Sequence, residues 1–252
     1  MQTQVQPGPL CGSTIGTAAD MSRIHAGTSG WAYPAWKPAF YPPKLAAAKF
    51  LGYYAGRLNA VEVNFTFRRF PTEKLLRGWM DATPAEFQFA IKAHRKITHI
   101  LRLRGAAELT ADFVASLQPL AAAQKLGPVL FQLPPFLKCD AGLLRDFLAG
   151  WPKPVRATFE FRHASWFCDE VYAALREANV ALCLAESDKL ETPGVQTADF
   201  LYLRLRKPEY SLRELQRRVT ELAARGELYV FLKHEETPEG ALLAESLMAG
   251  RG

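Results

Sequence analysis

The sequence predicts an α/β protein built as a single (β/α)8 barrel of the TIM-barrel type. Three observations predict it. Eight strand-like runs recur along the chain, helical patterns fill most of the gaps between them, and 252 residues is a common length for one such barrel. An open doubly wound sheet is the alternative. No GxGxxG loop follows any strand, which weakens its dinucleotide-binding version.

The strands are expected at 23–29, 60–67, 87–93, 128–133, 155–161, 180–186, 199–205 and 227–233, each rich in β-branched, aromatic or other apolar residues. Between them, 43–58 has apolar residues at helical spacing and opens on Pro43, which suits a first turn. The helix at 72–80 has Thr72 as its N-cap. A long helix is expected over 109–127, split or kinked at Pro119 and ended by Gly127. Further helices are expected at 140–150, 169–179, 211–226 and 238–250, and none in the gap 187–198. No linker interrupts 23–252, so one domain is expected there, preceded by a disordered tail over 1–22.

Composition narrows the function classes. Apolar residues make up 49% of the chain, enough for a sizeable core. No run of about 18 apolar residues exists, so no membrane span is expected. The four cysteines form no CxxC pair and read as reduced thiols, so a cytoplasmic protein is expected. No GxSxG elbow or P-loop is present. The net charge of +6 is uneven. Residues 68–104 hold nine Lys/Arg against three acids, an excess equal to that of the whole chain. Such a local field favours an anionic partner.

Barrel enzymes carry their sites at the C-terminal ends of the strands. Those positions are rich in charge, His and Trp. "VEVNFTFRRFP" (61–71) puts Glu62, Asn64 and Thr66 on one face of a strand, and helices should cover the other face. The three are therefore expected to line the inside of the barrel. The other strand ends offer Trp31, Lys92, His94, His99, Gln132, Glu160, Arg162, His163, Glu186, Asp188, Arg204, Arg206, Lys233, His234 and Glu235.

From these residues an enzyme acting on an anionic ligand, a phosphate ester or nucleotide-like molecule, is expected. Lys92, His99, Arg162 and Arg204 would hold the anion. Glu62 and Glu160 would do acid/base work, with His163 assisting. Asn64, Thr66 and Gln132 would position the substrate, and Trp31 would stack on it; the other reading of the aromatic first loop (Trp31, Tyr33, Trp36, Phe40, Tyr41) is that it closes over a small core of its own. The competing reading is a buried Glu–Arg network that only fills the barrel.

Different chemistry could use the same rim. Its His and Glu could hold a divalent metal, although no HxH or HExxH spacing supports it; otherwise no cofactor is expected. Glu62 and Glu160 could be a glycosidase pair. The basic 68–104 segment and the aromatic first loop could bind nucleic acid. A non-catalytic carrier of a small metabolite would use the same pocket.

"AGTSGWAYPAWKPAFYPPKL", "VEVNFTFRRFP", "FAIKAHRKITH", "GPVLFQLPP", "FEFRHASWF" and "DFLYLRLRKPEY" occur in order from about 24 onward and resemble the YecE-like family, domain-of-unknown-function family 72. The resemblance implies a TIM-barrel-like fold and no particular activity. Its pattern is matched at Gly30, Trp31, Glu62, Asn64, Thr66, Lys92, Thr98, His99, Gln132, Glu160, Arg162, His163, Trp166 and Arg204. The chain departs from it at Phe65, where the family has a small residue, and at Arg68, where it has Tyr. It departs again at Glu186 in place of Asp, and at Arg206-Lys207 in place of His-Gly. The last two make the strand 6 to strand 7 side of the expected pocket more basic.

Overall fold

The computed structural model of the protein describes residues 23–186, 190–233 and 237–249. The expected tail at 1–22, with Cys11, and the rim residues Asp188, His234 and Glu235 lie outside them.

Eight parallel strands alternate with helices. They are β1 (Ile24–Thr28), β2 (Ala60–Val63), β3 (Gln88–Lys92), β4 (Leu126–Gln132), β5 (Ala157–Glu160), β6 (Ala181–Glu186), β7 (Phe200–Leu205) and β8 (Glu227–Leu232). Their hydrogen-bonded order, β1-β8-β7-β6-β5-β4-β3-β2, is that of a barrel whose first two strands meet last. The helices are α1 (Phe50–Ala55), α2 (Glu73–Asp81), α3 (Ala107–Ala115), α4 (Gln118–Ala122), α5 (Ala141–Ala149), α6 (Asp169–Glu177), α7 (Leu212–Ala223) and α8 (Glu239–Met248). Among the described residues no helix is long and apolar enough to cross a membrane.

Side-chain caps fix several helix starts. Thr72, Asp140 and Ser211 accept from the backbone N–H three residues on, at 3.3, 3.0 and 3.5 Å. The expected helix 43–58 is much shorter. Leu45 N–H closes a turn on Pro42 C=O and Ala46 stays extended, so regular helix begins only after a 3-10 turn at Ala47–Lys49. The expected helix 109–127 is two helices, and Pro119 sits in the first turn of the second, where its missing N–H costs nothing. Gly127 does not end that helix; it lies inside β4.

Two cores follow from the alternation of side chains. The outward faces of the strands pack on the helices in one large apolar cluster. Inside the barrel, Ala60, Ala90 and Ala181 leave room that Phe200, Tyr202, Tyr229 and Phe231 fill from β7 and β8. The barrel floor is polar. Glu227 accepts from His25 (2.8 Å), Arg156 (2.6 Å) and Tyr229 (3.0 Å). Burial alone would raise the Glu227 pKa, but these donors hold it down at about 2.

No backbone ladder joins β1 to β2 among the described residues. Side chains lace this seam. The Asn59 amide takes the place of a peptide group: Ala26 N–H donates to its Oδ1 and its Nδ2 donates to Ile24 C=O, both at 2.8 Å. One turn higher, the Tyr54 hydroxyl accepts from Thr28 N–H (2.8 Å) and lies 3.0 Å from Ala60 C=O, to which it donates. Above that, Asn64 Nδ2 donates to Ser29 C=O at 3.2 Å. A Cβ at position 27 would lie 1.9 Å from Ala60 O and 2.6 Å from the Tyr54 hydroxyl, so Gly27 is required for this approach.

Two outcomes test the seam and the floor. Tyr54→Phe strands a buried N–H and a buried C=O, and is expected to cost about 2 kcal/mol or more in urea unfolding; Gly27→Ala should cost more than Tyr54→Phe. Glu227 is depressed when folded, so its contribution is present above its ordinary 4.5 and is lost as pH falls towards 2. Glu227→Gln should therefore flatten the acid limb of a stability–pH curve over that window.

Candidate functional site

β2 ends at Val63, earlier than the alternating pattern predicts. Asn64 takes a helical conformation and Phe65–Phe67 forms a 3-10 turn. Inward alternation therefore stops at Glu62. Thr66 instead folds over the end of β3, where its Oγ1 donates to Lys92 C=O at 2.7 Å. Asn64 turns to the β1–β2 seam, to which it gives its Nδ2. Of the three residues expected on the inner wall, only Glu62 lies there.

The top layer of the barrel interior is a connected polar network centred on Arg204 of β7. Its Nε and Nη2 donate to the two oxygens of Glu62, at 2.8 and 2.7 Å. Its Nη1 donates to Glu160 Oε2. One guanidinium thus joins carboxylates from β2 and β5 across the barrel. Tyr202, two residues earlier on the same face of β7, donates its hydroxyl to Glu62 Oε2 at 2.8 Å. Gln132 and Glu160 are register partners on β4 and β5, and Gln132 Nε2 donates to Glu160 Oε1 at 2.9 Å. Lys92 Nζ then donates to Gln132 Oε1 at 2.8 Å. Arg206 Nη2 reaches Ser29 Oγ and, at 3.5 Å, Glu62 Oε1.

The layer is buried and, among the described residues, its charges do not cancel. Glu62 is 0% exposed, and Glu160 and Arg204 are 5% exposed. Two carboxylates face three cations, Lys92, Arg204 and Arg206. Burial would raise the pKa of either carboxyl, but the charge of Arg204 outweighs it and both are held below the ordinary carboxylate range. They are anions at neutral pH, whereas a glycosidase acid needs a raised pKa. Burial and the charge of Arg204 push Arg206 below its ordinary value. Lys92 is pushed down from 10.5 to about 8, first by burial and then by Arg204. No carboxylate lies within ion-pair distance of its amine among the described residues; it rests on one amide oxygen and on the face of Phe67, 4.5 Å from the ring centre.

The remaining expected residues surround this layer. His99 sits in a π-helical turn, Lys96–Ile100, a distortion common at functional sites. Its ring meets Phe67 edge-on at 5.0 Å, and its Nδ1 lies 2.9 Å from Thr98 Oγ1. Burial, then the charges of Lys92 and Arg162, lower its pKa. Arg162 is exposed and its Nε is 3.9 Å from Glu160 Oε1. His163 lies outside the network, where it caps the turn Ala164–Trp166 and bonds Ser165 Oγ at 2.8 Å. Trp31 lies beyond the seam, edge-on to Trp79 at 5.6 Å, and helps line a cavity of about 300 Å³ with Tyr33, Asn64 and Phe65. Trp36, Phe40 and Tyr41 of the same loop are buried on one another. Glu186 is buried between Arg218 of α7 and Lys207 (3.6 Å). No three His, Cys, Asp or Glu come together as a metal-ligand group among the described residues.

Arg206, named from sequence among the strand ends but given no role, belongs to the network; so does Tyr202, which the site expected from sequence does not include. Tyr202 could have been found from its place two residues before Arg204, on the same strand face.

The comparisons with known proteins agree with this architecture. The family model described as "Protein of unknown function DUF72" matches residues 25–251. The UPF0759 protein YunF of Bacillus subtilis (strain 168) is 31% identical over 160 residues, which is 59% of this chain and 54% of YunF. The UPF0759 protein YecE of Escherichia coli (strain K12) is 29% identical over 145 residues, 57% of this chain and 50% of YecE. The chain thus spans about half the length of the curated relatives it matches. A crystal structure of a DUF72 family protein from Thermotoga maritima MSB8 superposes with a TM-score of 0.80 at 28% identity, covering 90% of this chain and 98% of the other. One from Enterococcus faecalis V583 gives 0.67 at 18% identity, covering 79% and 92%, and supports the fold alone. With a barrel of this order and a family match over nearly its whole length, the chain belongs to the DUF72 family.

Proposed function

We propose that the mouth of the barrel binds a small anion, a phosphate ester or nucleotide-like molecule, and that the protein acts on it as an enzyme. Lys92 carries this reading. Among the described residues its amine is held, near Arg162 and His99 and without a carboxylate partner, at the top of a layer with one uncompensated positive charge. An anion in contact with that amine would supply the missing charge.

Roles follow from protonation. Glu62 and Glu160 are committed to Arg204, so they orient the layer rather than exchange protons. Lys92, with a pKa of about 8, is an ammonium at neutral pH that can still release a proton. It would stabilise charge on the phosphoryl oxygens and protonate the leaving oxygen. His99, pushed towards its neutral form, could take a proton from the attacking water. Both side chains rest on Phe67, which fixes their separation.

Three outcomes test the reading. Inorganic phosphate and nucleoside monophosphates should raise the melting temperature of the wild type and not of Lys92→Met, and their affinity should fall as pH rises through about 8. Turnover followed by phosphorus NMR separates an enzyme from a carrier that only binds. A failure of every such anion to bind would end the proposal.

The depressed Lys92 also opposes folding. Its unfavourable contribution is present in full below about pH 8 and is relieved as pH rises towards 10.5. Lys92→Met should therefore be the more stable protein at pH 7, by about 1 kcal/mol or more, with the gap closing by pH 10. Glu62→Gln should instead destabilise by about 3–5 kcal/mol, because it leaves Arg204 and Arg206 underpaired in the interior.

A further inference from the structure

Above the polar layer, the rim of the barrel is divided by charge. The segments that follow β2, β3, β4 and β5, residues 64–72, 93–106, 133–139 and 161–168, contain eight Lys/Arg and no Asp or Glu. Acids return in the segments after β6 and β7, at Glu191 and Glu209. β2 to β5 are consecutive neighbours in the sheet, so the four basic segments form one arc.

Contacts between the segments make the arc continuous. Phe67 and Phe70 meet His99 and His94 edge-on, at 5.0 and 5.2 Å, joining the segment after β2 to the one after β3. Arg102 lies over the Phe136 ring at 5.2 Å, joining the segments after β3 and β4. Cys139 N–H donates to Ser165 Oγ (2.9 Å) and Trp166 Nε1 to Leu137 C=O (2.8 Å), joining the segments after β4 and β5.

Two kinds of side chain stand out from this surface. Arg68, Arg69, Arg95, Lys96, Arg102 and Lys138 are exposed and have no carboxylate partner among the described residues. Arg104 is different, being paired with Asp140 at 2.7 Å. Among them project Phe65, Ile100 and Phe136, three of the four large apolar side chains most exposed among the described residues, at 46, 57 and 64%. A soluble surface gains nothing by exposing phenyl rings among unpaired guanidinium groups. A partner with a phosphate at every repeat and a flat apolar face beside it matches both.

We infer that this arc is a docking surface for single-stranded nucleic acid, with the phosphates on the Arg/Lys side chains and bases stacked on Phe65 and Phe136. The surface lies outside the Lys92 layer, and the inference does not depend on a small anion binding there. A duplex hides its base faces and could use only the charges. An anionic membrane or an acidic protein would likewise use the charges without offering rings to stack.

The test is fluorescence anisotropy with a labelled 12-nucleotide oligothymidylate. Binding is expected at low salt, with log K falling against log salt at about −0.7 per phosphate engaged, so a slope on the order of −3 for four contacts. The duplex of the same length should bind more weakly, and vesicles with anionic headgroups should not compete. Phe65→Ala/Phe136→Ala removes two exposed rings without touching the core and should weaken binding at least about 10-fold with the slope unchanged. Arg68→Ala/Arg69→Ala should weaken binding and lower the slope. Arg145→Ala/Arg217→Ala, the same loss of charge on helices away from the rim, should change affinity less than about twofold, as should Lys92→Met. Loss of phosphate binding in Lys92→Met with oligonucleotide binding intact would separate the two sites. Absence of binding at low salt, equal affinity for the duplex, displacement by vesicles, or wild-type affinity in the Phe double variant would each overturn the inference.

Discussion

Arg204 is the residue on which the upper half of the barrel depends. A barrel interior is ordinarily a stack of apolar layers, and between its polar floor and its polar top this one follows that rule with the rings of Phe200, Tyr202, Tyr229 and Phe231. The top layer replaces it with carboxylates from opposite strands that would repel each other if left alone. A single planar guanidinium, always charged and able to donate in several directions, satisfies both. Lysine could not, since a point charge cannot present paired donors to Glu62 and a third to Glu160. Gln132 and Lys92 extend the network towards the mouth, so the geometry of the candidate site is set by a side chain that is itself buried beneath it.

Such an arrangement is a poor way to gain stability. Buried ion pairs at best offset the cost of removing their charges from water, and apolar residues of similar volume would serve the fold as well. The surplus cation among the described residues makes the balance worse, because burial and Arg204 hold the amine of Lys92 down at about 8, and an amide oxygen and a ring face are the contacts it makes there. A buried layer that adds little to stability and, among the described residues, leaves one charge uncompensated at the opening is the feature on which the anion-binding proposal rests.

Much of this was legible in the sequence. The eight strand runs and their helical gaps specify the barrel, because parallel strands covered by helices must alternate in that way. Glu62, Lys92, Gln132, Glu160 and Arg204 could be picked out as polar residues at strand ends. Their pairing could not, since Glu62 and Arg204 are 142 residues apart and only closure of the barrel brings them together. Local alternation also misled at Asn64 and Thr66. The run "NFTF" has strand composition, yet the chain turns after Val63 so that Thr66 can take the carbonyl at the end of β3. The seam was invisible for another reason: Asn59 and Tyr54 look like ordinary loop and helix residues until β1 and β2 meet.

That seam changes how the barrel should be pictured. Seven junctions are zipped by main chain, and the eighth is fastened by side chains. The molecule is then a curled ribbon with a buttoned edge, and its easiest deformation is a parting along one line. Ser29 lies on that line at the mouth, bonded to both Asn64 and Arg206. Any widening there pulls on Arg206 and, through Glu62, on Arg204. The shape of the opening and the electrostatics of the buried layer are thereby tied to the same few fastenings.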